Sequence, residues 1–193
     1  MEVLFHLLFE LIKISILGSV YATLIVYFLK LLHKFKPNLW LEKILNRKKR
    51  TWFVIGFLVS ISLFSFLFSY WGNHELGDGA RIPIGYEKEI SNTNGNECAI
   101  ITGIQSKEGN DIYTTKFKID GKKVCGNYES DFYDYSNGYF VYNLESNELT
   151  EFTTEIEYNV YAIKNELPKT NEFLSFDDNY RNYWLGWRFW FLA

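Results

Sequence analysis

The sequence predicts a membrane protein with two transmembrane helices followed by a small α+β extracytoplasmic domain, built of antiparallel hairpins with one or two helices. Three observations predict it: two long apolar segments, a loop crowded with lysine and arginine between them, and alternating strand patterns in the remainder. The expected parts are residues 1–32, a first transmembrane helix with interfacial N-terminal turns; 33–50, a basic cytoplasmic loop; 51–71, a second transmembrane helix; and 72–193, the extracytoplasmic domain.

The second apolar segment, Thr51 to Trp71, carries no charged residue. About 20 such residues cover the roughly 30 Å of a bilayer's hydrocarbon as a helix. Trp52 at one end and Tyr70 with Trp71 at the other are suited to anchor at the headgroup boundary, where a ring can be half wet. A buried helix of a soluble core is the competing reading, and the length argues against it.

The first segment, Val3 to Leu32, is longer and is interrupted near its start by Glu10 and Lys13. The spanning part is expected at about Ile14 to Leu32, with the first dozen residues at headgroup level. A cleaved signal peptide is the rival reading; no basic region precedes the apolar run, and the run continues past the small-residue candidate site at Ser19 to Ala22. Glu10 and Lys13, three residues apart, are placed to pair on one helix face. Two readings fit them: a plain interfacial pair, or groups lining a polar path through the membrane.

Between the spans, His33 to Arg50 holds seven basic residues (Lys34, Lys36, Lys43, Arg47, Lys48, Lys49, Arg50) against one acid, Glu42. Short basic loops stay cytoplasmic, so both termini are expected outside the cytosol, in a bacterial inner membrane. Charge follows the same division. Nine basic and three acidic residues give +6 over residues 1–71, and eleven basic with twenty acidic give −9 over 72–193. An acidic domain argues against a nucleic-acid partner.

Cys98 and Cys125 both fall in the exported part, where an even pair is most simply a disulfide; two unpaired thiols is the alternative. That part has no Asn-x-Ser/Thr sequon, in keeping with a bacterial source.

Residues 72–85 carry glycines and Pro83 and are expected as a structured turn region; as a phosphate cradle they lack the spacing and lysine of a P-loop. Asp111 to Ile119 alternates Tyr113, Thr115, Phe117 and Ile119 with more polar residues before Asp120-Gly121, which predicts a type I′ hairpin. That register pairs Phe117 with Val124 and Tyr113 with Tyr128, and turns Cys125 away from the Phe117 face toward whatever carries Cys98. Ala99 to Ile104 is expected as a neighbouring strand. Gly138 to Leu144 and Leu149 to Phe152 suggest a second hairpin. Thr154 and Glu157 form a capping box, so Glu155 to Asn165 is expected to be helical, with Ile156, Val160 and Ile163 or Tyr161 as its buried stripe. A strand is the alternative there.

The chain ends in an aromatic cluster in which Trp184, Trp187 and Phe191 share a helical face and Trp190 lies nearby. These rings suit the headgroup boundary or the completion of a core, and both uses are compatible. Asp177, Asp178 and Asn179 are expected to cap a terminal helix. In the spans, Ser15, Gly18, Ser19 and Ala22 line one side of the first helix. Gly56 with Ser60 and Ser62 with Ser65 and Ser69 mark two sides of the second. Serines bonded only to their own i−4 carbonyls are the alternative.

No catalytic or metal-binding constellation stands out, so the expectation is a protein that is not an enzyme and carries no cofactor. Asp131, Asp134, Ser136 and Asn137 lack the spacing of a calcium loop. His74 with Asp78 is the residual candidate for a hydrolase. The aromatic run containing Tyr128, Phe132, Tyr133 and Tyr135 is the candidate recognition surface, with strand packing as the alternative. The expected role is an interaction or structural subunit that meets the bilayer and another envelope protein or a second copy. The alternative is an accessory subunit of an ion-driven or transport machine.

Overall fold

The computed structural model describes residues 2–73, 79–93, 95, 97–106, 109–129 and 138–192. Phe132, Tyr133, Tyr135, His74, Asp78, Asp131, Asp134, Ser136 and Asn137 lie outside the described residues. The chain divides into two compact units, Met1–Gly77 with Gly186–Ala193, and Asp78–Leu185.

The first unit contains α1 (Glu2–Phe35), α2 (Leu39–Leu45), α3 (Lys48–Leu67) and a short terminal helix described below. Both α1 and α3 are long and apolar enough to cross a bilayer. Their seam is built on small residues. Along α1, Glu10, Ile14, Gly18, Ala22 and Val26 are buried at a spacing of four, which keeps one face against a neighbour. Leu63 and Leu67 of α3 pack on Ile14, with Leu17, Tyr21 and Val59 around them. A Cβ on Gly18 would collide with the Ser60 hydroxyl and stand 3.1 Å from the Gly56 carbonyl oxygen. The Gly56 and Ser60 side of α3 therefore meets α1.

Ser15 and Ser19 do not line this seam; their hydroxyls donate to the carbonyls of Leu11 and Ser15, and Ser62 donates to Leu58. These serines satisfy themselves within their own helix. The expected loop is not wholly irregular either. Asn38 accepts from the Trp40 amide at 2.9 Å and starts α2, while the Thr51 hydroxyl donates to the Ile44 carbonyl.

The second unit is a small antiparallel sheet domain with helices. Its strands are β1 (Gly79–Gly85), β2 (Lys88–Thr93), β3 (Ala99–Gln105), β4 (Asp111–Thr114), β5 (Lys116–Asp120), β6 (Lys123–Asn127), β7 (Tyr139–Asn143), β8 (Glu148–Phe152) and β9 (Leu174–Ser175). They form a four-stranded sheet ordered β1-β2-β3-β4 and a five-stranded sheet ordered β8-β7-β6-β5-β9. Residues 79–85, expected as a turn region, supply an edge strand that tolerates Pro83. Isoleucines 82, 90, 101 and 112 of the first sheet meet Phe117, Val124, Phe140 and Tyr142 of the second in one core. Alternation then sends Cys125 and Val141 to the opposite face of the second sheet, which α4 (Glu155–Lys164) covers with Tyr158 and Ala162.

The expected strand over 111–119 is divided at Thr115 between the two sheets. Asn127 bridges the break, accepting from the Lys116 amide at 2.8 Å and donating to the Thr115 hydroxyl at 2.7 Å. The hairpin turn is displaced by one residue from the expected position. Phe117 pairs with Gly126 and Ile119 with Val124, while Tyr113 pairs with Ile100. Gly121 has φ 57°, whereas Lys122 is not at positive φ, so the turn is not the type I′ expected. Gly126 is where Phe140 lies across the strand; a Cβ there would stand 2.8 Å from the ring.

The seam yields a distance test. A Cβ on Gly56 would lie 3.6 Å from that of Ala22, inside the range a disulfide spans. In a background with Cys98 and Cys125 replaced by alanine, Ala22→Cys with Gly56→Cys should oxidise to an intramolecular disulfide, read as a gel-mobility shift. Adding Gly18→Ile should abolish that bond.

Candidate functional site

The most distinctive exposed chemistry of the sheet domain lies on α4. Thr154 is its N-cap, accepting from the Glu157 amide at 3.3 Å, and Glu157 returns by accepting from the Thr153 amide and hydroxyl. Those bonds hold the fully exposed Glu157 carboxyl below its ordinary value, the Thr153 hydroxyl contributing most. The sequence expectation for the helix bounds therefore agrees with the structure, but its orientation is reversed.

Tyr158 and Ala162 are fully buried, and Tyr161 is half-buried against Phe152. Ile156, Val160 and Ile163, the expected core stripe, are 77%, 65% and 62% exposed. At 100° per residue these three fall within about 60° of one another, nearly opposite Tyr158. The reason lies in what each face can fill. The Tyr158 ring packs between Tyr139, Phe152 and Phe173 at centroid distances of 5.6, 5.6 and 5.4 Å, and its hydroxyl donates to the Pro168 carbonyl at 2.6 Å. An aromatic ring with a satisfied hydroxyl buries more area than a branched aliphatic chain, and it takes the inner face.

Tyr128, a member of the expected recognition surface, belongs instead to the core. It is buried, tilts on Phe140 at 5.1 Å and donates to Glu151 Oε1 at 2.8 Å.

The expected disulfide is absent; Cys98 and Cys125 are not joined. Cys98 precedes β3 of the first sheet, while Cys125 points away from the shared core toward α4, so the second sheet stands between them. Burial pushes the Cys125 thiol up from 9.0 to about 11, with the Tyr158 hydroxyl acting in the opposite sense. Tyr158 is raised as well, chiefly by burial.

The aromatic terminus divides its roles. In α5 (Phe176–Trp184), Ser175 is the N-cap and Asp177 and Asp178 occupy the first turn, so the expected capping residues Asp177, Asp178 and Asn179 lie two to four positions past the cap. Trp184 is 8% exposed and its indole N–H donates to the Arg81 carbonyl at 2.6 Å, which corrects its expected place as a membrane anchor. After Gly186, whose φ is 84°, α6 (Trp187–Phe191) belongs to the first unit and leaves Trp187 and Trp190 exposed. There the Tyr21 hydroxyl donates to the Phe191 carbonyl and Lys13 lies over the Phe189 ring at 5.1 Å. Of the other expected anchors, Trp52 donates to the Thr23 hydroxyl and Tyr70 packs edge-on with the exposed Trp71.

Glu10 is 9% exposed, with Lys13 Nζ 3.7 Å and His6 Nε2 3.8 Å from its oxygens. The expected pair therefore forms, at ion-pair rather than hydrogen-bond distance. Arg81 escaped the sequence reading. It is buried in β1 and its Nη1 donates to Glu89 Oε2 at 2.6 Å. Its signal was a single arginine inside the apolar run of residues 80–84. Among the described residues, no group of three or more His, Cys, Asp or Glu is placed to hold a metal.

The thiol assignment has a chemical readout. Alkylation after denaturation without reductant should modify both cysteines, and native labelling should leave Cys125 protected. The folded state holds the Cys125 proton more tightly than the unfolded chain. This stabilisation is complete below the ordinary thiol value of 9.0 and is lost as pH rises toward about 11. Denaturant midpoints should fall across that window, and Cys125→Ala should flatten part of the fall. Comparisons with protein-family models, curated proteins and solved structures return no match for this chain.

Proposed function

We propose that this chain is a two-span membrane protein whose sheet domain, held outside the cytosol, docks on another envelope protein through the outward face of α4. The observation that carries the docking reading is the stripe of Ile156, Val160 and Ile163. Single apolar side chains on a surface are ordinary, but three on one arc of one helix are a contiguous patch. Burying such side chains contributes about 1.5–3 kcal/mol each before the costs of association. The stripe lies beside Glu157 and on a domain of net negative charge, which favours a partner with an apolar groove and a basic rim. Helix-in-groove recognition uses this i, i+4, i+7 spacing.

Membrane placement is supported by the length and apolarity of α1 and α3 and by the lysine and arginine between them. In this topology α6, with Trp187 and Trp190, lies at the outer end of α1 beside Lys13 and Tyr21. Exposed indoles suit a headgroup boundary there.

Two experiments address the two parts. Val160→Lys with Ile163→Lys replaces exposed residues with good helix formers near a helix C-terminus, so stability should change by about 0.5 kcal/mol or less. Purified in mild detergent, the natural chain should carry a partner in mass analysis and the variant should lose it; a natural chain that runs as a lone polypeptide overturns the docking reading. For topology, single cysteines at Lys122 and Lys36 should behave oppositely in intact cells. An impermeant maleimide should label the first directly and the second only after lysis.

A further inference from the structure

Helices α1, α2 and α3 of the first unit flank an open cavity of about 480 Å³. Its floor is aliphatic, formed by Leu29 of α1 with Val54 and Ile55 of α3, and Trp40 of α2 walls one side. Its rim is cationic: Lys43, Arg47 and Arg50 all line it. Among the described residues, none of these three side chains has a carboxylate partner. The single acid of the loop, Glu42, does not line the cavity.

The cavity exists because α2 folds back between the long helices. The Asn38 cap starts α2, and the Thr51 hydroxyl bonded to the Ile44 carbonyl ties its end to the beginning of α3. Arg47 and Arg50, flanking the start of α3, are thereby turned toward the same opening as Lys43. A second, more polar depression over residues 45–50 adjoins this rim and shares Arg47 and Arg50.

We infer that this cavity is a binding site for an anionic phospholipid, with the phosphate held among Lys43, Arg47 and Arg50 and an acyl chain lying on Leu29, Val54 and Ile55. Guanidinium forks match phosphate oxygens in pairs, and charge-assisted bonds of this kind are about twice as strong as neutral ones. A free anion has no use for the aliphatic floor, whereas a lipid satisfies floor and rim together. The inference rests on the membrane placement proposed above, in which this cavity faces the inner leaflet. Basic pockets between helices at that level favour anionic headgroups, at about 1 kcal/mol per cation.

The test compares the full chain with two triple variants of equal charge change. Lys43→Gln/Arg47→Gln/Arg50→Gln removes the rim, and Lys34→Gln/Lys36→Gln/Lys49→Gln removes loop charge outside the cavity of Leu29 and Trp40. Each is purified in detergent, offered phosphatidylglycerol or phosphatidylcholine, and read by native mass spectrometry. The natural chain and the loop variant should retain phosphatidylglycerol at least about tenfold better than phosphatidylcholine, and the rim variant should lose that preference. Millimolar inorganic phosphate should not displace the lipid.

Equal loss in both variants would reduce the effect to diffuse charge and overturn the site. Displacement by phosphate would assign it to a free anion and overturn it too. No preference in a chain that needs detergent sinks the lipid site alone. A chain soluble without detergent sinks the membrane placement on which it rests.

Discussion

A sheet that is apolar on both faces has to be covered twice, and the five-stranded sheet of this chain imposes that condition on its whole domain. Along β7, Phe140 and Tyr142 enter the core shared with the first sheet while Tyr139 and Val141 face the other way. The first sheet covers one face with isoleucine, and α4 covers the other. Because α4 has two apolar faces of its own and can bury only one, the aromatic side goes inward and the aliphatic side is left in solvent. The outward stripe is thus a consequence of how the inner layer is filled.

This is also where sequence reasoning reached its limit. Thr154 and Glu157 made the bounds of α4 readable, because a capping box is a local event involving four residues. Which face of that helix turns inward depends on Tyr139, Phe152 and Phe173, brought together only by folding. The hairpin of β7 and β8 was legible for the same local reason. The break at Thr115 was not, since the side chain that compensates it, Asn127, comes from the next strand. Likewise, burial of Arg81 and Trp184 joins β1 to α5 across most of the domain, and no periodicity within either segment announces it. The cysteines illustrate the cost of reasoning by compartment alone. Alternation correctly turned Cys125 away from Phe117, but the layer it faces is α4.

In the helical unit, the legible signal was the small residues and the ambiguous one was serine. Gly18, Ala22 and Gly56 permit backbones to approach, and side chains at those places would hold them apart. Ser15, Ser19 and Ser62 carry the same small volume but spend their hydroxyls on carbonyls one turn earlier. Size alone therefore overstates the interface, and only the steric meeting of Gly18 with Ser60 distinguishes the face that packs. Helix α2 lay hidden because a charge run dominates its surroundings, although Asn38 before Leu39 and Trp40 is an ordinary start signal.

Charge sorts along the chain in a way that connects both proposals. Basic residues gather in 33–50 and acidic ones beyond 72, so the two halves differ in sign as well as in architecture. In the proposed topology a bilayer would separate such halves at little cost, because the cations would find anionic headgroups on one side while the acidic domain stays hydrated on the other. On this account the rim of Lys43, Arg47 and Arg50 does more than orient the chain. With a lipid phosphate bound as inferred, it would hold the turn of α2, whose end is tied to the start of α3 by the Thr51 hydroxyl on the Ile44 carbonyl. Fixing the start of α3 fixes its register on α1 at Gly18 and Gly56. Lipid on the inner side and packing at the middle of the helices would then act on the same helix pair, so weakening the rim should loosen the seam well before it alters the sheet domain.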